Sequence, residues 1–122
     1  MADEYILKHL EDIRLTIEEL EGFFKDFPKR LDIFVKNNLL RSAVERQIGI
    51  IGEAMVRIRK HDSNFIITNS EDIIAIRNKL IYAYDSIKLE NIWELVVRHI
   101  PELKKDIGHL INEELEKENC QN

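Results

Sequence analysis

Apolar residues recur at intervals of three and four through every long segment of this chain, and nowhere at the two-residue period of a half-buried strand. Tyr5, Ile6, Leu10, Ile13, Ile17, Leu20 and Phe24 mark one such stripe, with a charged face opposite, and predict a helix over residues 3–26. Pro28 ends it. A short apolar helix is expected over 29–35, with Asn37-Asn38 as the break after it. Leu40, Val44, Gln47, Ile48, Ile51, Met55 and Ile58 then give a long helix over 39–60. Gly49 and Gly52 lie inside it at a propensity cost of roughly 1 kcal/mol each, so both are expected to mark close approach of another helix. After the turn at His61–Phe65, Thr68-Asn69-Ser70-Glu71 has the form of a capping box. A helix should follow to about Ala83, with Ile73, Ile76 and Leu80 inward. Asp85-Ser86 breaks the chain again. Leu89, Ile92, Trp93, Val96 and Ile100 mark a further helix, and Pro101 suits the first turn of a last one carrying Leu103, Ile107, Leu110, Ile111 and Leu115.

The expected fold is therefore all-α: an up-and-down bundle of four main helices plus one or two short ones. At 122 residues the chain suffices for one domain, taken as 1–116, with residues 117–122 as a frayed tail. A small helical domain of this size often gains by dimerising.

Charge limits the partners. The net charge of −5 is not that of a non-specific nucleic-acid binder. The segment 36–60 nevertheless carries six basic residues, Lys36, Arg41, Arg46, Arg57, Arg59 and Lys60, against Glu45 and Glu53, a net of +4. It reads either as a local anion-binding surface or as a solvated helix face. Cys120 is the single cysteine, so no intramolecular disulfide forms, which fits a reducing, cytoplasmic setting. The N-terminus is acidic and periodic, unlike a signal peptide, and no apolar run is long enough for a membrane span. His9, His61, His99 and His109 have no metal-ligand spacing and are expected at the surface, with His99 the nearest helper to a site; no metal or cofactor is implied.

One stretch departs from the bundle pattern. Arg77-Asn78-Lys79-Leu80-Ile81-Tyr82-Ala83-Tyr84-Asp85 ends a helix with an arginine, an asparagine and two tyrosines. On a helix, Arg77 and Tyr84 fall nearly in line, with Asn78 and Tyr82 round from them. The residues alone leave two readings: tyrosines packed under the next helix with Arg77 in an ion pair, or a site. Glu53 is similarly open. It shares a helix face with Arg46, Gly49 and Arg57, and either pairs with Arg57 or accepts hydrogen bonds from Arg77 or Asn78.

This stretch, followed by Asn91–Ile107 with its Trp93 and its Ile100-Pro101-Glu102-Leu103, resembles the HepT-like HEPN domains. Their signature is Arg, four to six variable residues, His, one residue and Tyr, usually with a polar residue after the Arg. Arg77, Asn78 and Tyr84 match it. Upstream, Ala43–Ile58 is similar to the family's long helix, with Gly52, Glu53 and Ala54 at its Gly-Glu-Ala. The resemblance runs from about Tyr5 to Ile111. It implies a homodimeric, metal-independent toxin ribonuclease in which Arg77 holds the scissile phosphate, Asn78 positions it and Glu53 supports them; Arg46, on the same helix face as Glu53, is taken as a second supporting residue. It also implies a partner nucleotidyltransferase antitoxin that transfers AMP to the motif tyrosine, Tyr84.

The departure is Tyr82, which stands where the family has histidine. Imidazole suits proton transfer because its ordinary pKa is ~6.5, whereas a phenol titrates near ~10. Tyr82 is thus a weak acid or hydrogen-bond donor and a poor base. Two alternatives follow: an inactive binding module that docks a nucleotidyltransferase or binds nucleotide, and a helical dimer without a site.

Overall fold

The computed structural model describes residues 1–119. They form α1 (Glu4–Asp26), α2 (Leu31–Lys36), α3 (Asn38–His61), α4 (Ser70–Tyr82), α5 (Leu89–Glu94) and α6 (Ile100–Asn119). A 3₁₀ turn at Tyr84–Ser86 follows α4, and a π-helical turn at Leu95–His99 joins α5 to α6. No strand occurs among the described residues, and the all-α bundle is the one the periodicity predicts. No helix among them is long and apolar enough to cross a membrane.

The apolar stripes account for the packing. α3 lies between α1 and α4, α1 also packs on α6, and α2 bridges α3 and α5. Leu10, Ile13, Ile17 and Leu20 join Ile48, Ile51, Met55 and Ile58, and Leu103 and Ile107, in one buried cluster. Each such side chain removed from water contributes about 1.5–3 kcal/mol. Phe34 of α2 is fully buried, its ring 5.2 Å from that of Trp93, which also meets Phe24 edge-on.

The caps explain the boundaries. Asp3 accepts the Ile6 N–H at 3.1 Å and starts α1. Asn37 accepts the Leu40 N–H at 3.0 Å and starts α3, so the expected break at Asn37-Asn38 is an N-cap. Phe27, before Pro28, is extended, as the residue preceding a proline prefers.

Two local expectations are corrected, the capping box and a surface His9. The capping box at Thr68–Glu71 does not form. Asn69 instead takes the left-handed conformation (φ 62°), which Asn tolerates, and turns the chain into α4. Thr68 then donates its N–H to Asp106 at 2.8 Å, and Glu71 pairs with Arg59 at 2.9 Å. The α4 residues expected inward do face the core: Ile73 is buried, and Ile76 and Leu80 pack against the core while half-buried. Pro101 lies in the first turn of α6, as expected, and the π turn before it runs into α6 without a break. The proline lacks the N–H that would bond the Val97 carbonyl, and the chain absorbs the loss by widening into the π turn, where Ile100 donates to Leu95. His9 is not a surface residue: it is 5 % exposed, between α1 and α3.

α6 continues to Asn119, three residues into the expected tail. The rest of that expectation, Cys120 included, lies outside the described residues.

A candidate active-site groove between α3 and α4

α3 and α4 approach most closely at Gly52. A Cβ placed there would lie 2.6 Å from Arg77 Cβ and 2.8 Å from its Cγ, with the Ile73 carbonyl oxygen at 3.6 Å. Only glycine lets the stem of Arg77 cross α3 at this point. Gly49, one turn earlier, meets nothing within 4 Å, so the expectation of close approach holds for Gly52 and not for Gly49. Gly49 instead opens a groove of about 560 Å³ whose polar lining includes Glu45, Arg46, Glu53 and Arg77 and whose apolar lining is Ile50, Leu80 and Ile81.

Arg77 is fixed within this groove, its side chain 17 % exposed. It donates from Nη2 to Glu53 and from Nη1 to Asn78 Oδ1 at 2.9 Å. Its Nε is buried and has no hydrogen-bond partner among the described residues. Glu53 also accepts from Arg57 at 3.1 Å, so both of its expected pairings with arginine form. Arg57 first, then Arg77, holds the Glu53 carboxyl below the ordinary carboxylate range. Asn78 contacts the guanidinium and not Glu53.

The tyrosines part company. α4 ends at Tyr82, and Ala83 (φ −149°, ψ 48°) redirects the chain, so Tyr84 is not in line with Arg77 on one helix. Its hydroxyl reaches back to α3 and donates to both carboxylate oxygens of Glu45, at 2.9 and 3.0 Å. That carboxylate raises the Tyr84 pKa above the ordinary phenol value. Tyr82, on the last turn of α4, is 79 % exposed, and its hydroxyl has no partner among the described residues.

The basic segment does not act as one surface. Arg41 bonds the Val35 carbonyl, Arg57 pairs with Glu53 and Arg59 with Glu71, and of the six basic residues Arg46 is the one that lines the groove. His99 is apart from it, its Nδ1 3.6 Å from Asp72 in a separate cavity of about 220 Å³ between α4 and the π turn. His61, at the far end of α3, pairs with Asp3, and His109 on α6 pairs with Glu113.

Glu45 is the groove residue that sequence reasoning passed over, counting it only as a charge. A signal was present: it precedes Gly52 by seven residues, two helical turns, and so lies on the side of α3 that meets α4.

A family model, ribonuclease HepT-like, matches residues 6–110. A Caldanaerobacter subterraneus protein bearing the name "Putative RNase" is 31 % identical, over 90 % of this chain and 94 % of its own. A Methanocaldococcus jannaschii protein of the same name is 29 % identical, over 96 % of this chain and all of its own. One from Thermococcus cleftensis named "Probable ribonuclease HepT" is 32 % identical, over 79 % of this chain and 86 % of its own. No solved structure matches the chain significantly. A match across the whole helical core, Arg77 groove included, makes this chain a member of the HepT-like ribonuclease family.

Proposed function

We propose that the protein is the toxin ribonuclease of a toxin–antitoxin pair, cleaving RNA without a metal ion and neutralised by a nucleotidyltransferase that transfers AMP to Tyr84. The observation that carries this reading is the held guanidinium. Two of the five N–H donors of Arg77 are engaged by Glu53 and Asn78, so the group is oriented and retains donors for a phosphate oxygen. A fixed guanidinium at the reacting phosphate stabilises charge as it develops. Arg46 extends the positive lining along the backbone path. Tyr82 acts as donor toward the leaving oxygen, the one role in proton transfer that suits a neutral phenol.

The homodimer belongs to the same reading. Ile50, Ile81 and Tyr82 are exposed around the groove, a rim apolar enough to be covered by a second copy. A nucleotidyltransferase reaches Tyr84 because the residue is 60 % exposed, and phosphates added there compete with RNA for the groove's arginines.

Cleavage of RNA in excess chelator tests this. Wild type is expected to cut and Arg77→Ala to be inert; equal rates for the two end the proposal. The exposure of Tyr82 and its lack of a partner favour a second reading, a catalytically silent module that docks a nucleotidyltransferase or binds nucleotide. If Tyr82→His cleaves RNA and wild type does not, the second reading stands and the first falls.

A further inference from the structure

Attack of an RNA 2′-hydroxyl on phosphorus needs a proton acceptor, and Tyr82 is a donor at neutral pH. The groove lining offers two carboxylates. Glu53 is engaged by Arg57 and Arg77, and a carboxylate held that way gives up basicity. Glu45 is in a different state. It is 9 % exposed, has no ion-pair partner among the described residues, and its side chain's one hydrogen-bond partner there is the Tyr84 hydroxyl. Carboxylates removed from water are normally neutralised by a cation, since desolvating an unpaired charge is costly. One left without a cation, in a cleft that also holds a fixed arginine, is where acid–base chemistry is to be sought.

The fold also gives Glu45 little freedom. It sits two turns into a 24-residue helix, among the buried Val44, Gln47 and Ile48, and Tyr84 holds its carboxylate from the turn after α4. A phenol donating to both oxygens fixes the plane of the group and leaves part of its acceptor capacity open. The charged and titratable groups around it are Arg41, Arg46 and Glu53 on α3, Arg77 on α4 and Tyr84 in the turn.

We infer that Glu45 is the general base of this site, taking the 2′-hydroxyl proton in the absence of a motif histidine. The inference rests on the ribonuclease reading above. As the proton passes to the Glu45 carboxylate, the 2′-oxygen bonds to phosphorus and the bond from phosphorus to the 5′-oxygen breaks. The products are a 2′,3′-cyclic phosphate and a 5′-hydroxyl, whose proton comes from Tyr82 or water. Glu45 ends protonated and is reset by exchange with solvent. Tyr84 is a positioning residue that acts through Glu45.

Glu45→Gln keeps an oxygen for the Tyr84 hydroxyl and nearly the same shape, but not the basicity. Single-turnover cleavage of an RNA oligonucleotide in chelator at neutral pH is the measurement, with thermal melting as the check on folding. Glu45→Gln is expected to lose ~100-fold or more in rate at unchanged melting temperature. Tyr84→Phe is expected to lose less than about tenfold, in the saturating rate and not in the RNA concentration that half-saturates it, as a positioning residue should. If Glu45→Gln misfolds, Glu45→Asp decides: it keeps the charge but draws the carboxylate back by one methylene, and is expected to lose about tenfold or more in the saturating rate. Wild-type cleavage that Glu45→Gln, or in its place Glu45→Asp, retains within threefold overturns the assignment of Glu45 alone. No cleavage by wild type overturns the ribonuclease reading and this inference with it.

Discussion

At one end of the bundle Asp3, Tyr5, His61 and Glu114 tie the start of α1 to α3 and α6. In the groove, Arg77, Glu53, Glu45 and Tyr84 tie α4 to α3. Both clusters mix carboxylates, a cation or imidazole, and an aromatic. At the terminal cluster both carboxylates are answered. Asp3 accepts from Ile6 N–H and pairs with His61 at 2.8 Å, its own N–H goes to Glu114 at 3.1 Å, and Glu114 pairs with Lys117. Tyr5 stacks on His61 at 4.5 Å. None of the buried unpartnered polar atoms lies there. The groove leaves Arg77 Nε without a partner, Glu45 without a cation and Tyr82 in solvent, beneath an exposed apolar rim. Saturated polar clusters hold a fold together, whereas donors and acceptors left open next to a cleft are capacity for a ligand.

The largest effect that separates the two is catalytic. Arg77→Ala is expected to lower RNA cleavage by on the order of 10²–10³, the scale for one lost donor at a developing charge. Asp3→Ala is expected to leave cleavage unchanged while costing about 1 kcal/mol of stability through the lost N-cap. Comparable losses of cleavage in both variants erase the distinction between the clusters.

A smaller effect tests how the groove is held open. Gly52→Ala places its methyl against the Cβ and Cγ of Arg77, atoms that cannot swing aside without moving α4, so about 1–3 kcal/mol of stability should go. Gly49→Ala meets nothing and should gain about 0.5–1 kcal/mol from helix propensity. Urea midpoints that shift in opposite directions support this geometry; equal shifts refute it.

The helices were legible because a stripe such as Ile48, Ile51, Met55 and Ile58 records which side is buried, and periodicity needs no knowledge of the partner. Arg77, Asn78 and Tyr84 stood out through the resemblance to the HepT-like motif, since their spacing alone left a packed helix end equally open. What escaped depends on tertiary placement. The turn at Ala83, which takes Tyr84 off the α4 axis and onto Glu45, leaves no local mark, and neither does the difference between Gly49 and Gly52, which are equivalent until α4 is in position. Thr68–Glu71 has the spelling of a capping box, but Asp106, 38 residues on, takes the Thr68 N–H. His9 reads as surface on a charged helix, and only the approach of α3 buries it.

His9 supplies the smallest and most selective contrast. Burial first, then the charge of Lys8, lowers its pKa below the ordinary 6.5, while Asp12 opposes. The unfolded chain therefore binds this proton more readily than the folded one. The stability His9 contributes is fully present above pH 6.5 and is lost as pH falls toward its folded-state value. The carboxyls respond later. Asp3, held low chiefly by the Ile6 N–H, and Glu53, held low chiefly by Arg57, begin to lose their contributions only as pH falls through their ordinary values of 3.8 and 4.5. From pH 7 to 5.5 the α1–α3 packing should thus weaken while the Glu53–Arg77 link keeps its charge. Urea midpoints should fall over that range in wild type and in Glu53→Gln, and stay flat in His9→Gln. A slope that survives in His9→Gln but vanishes in Glu53→Gln would place the acid-sensitive contact in the groove, and the division between a saturated end and an open site would have to be redrawn.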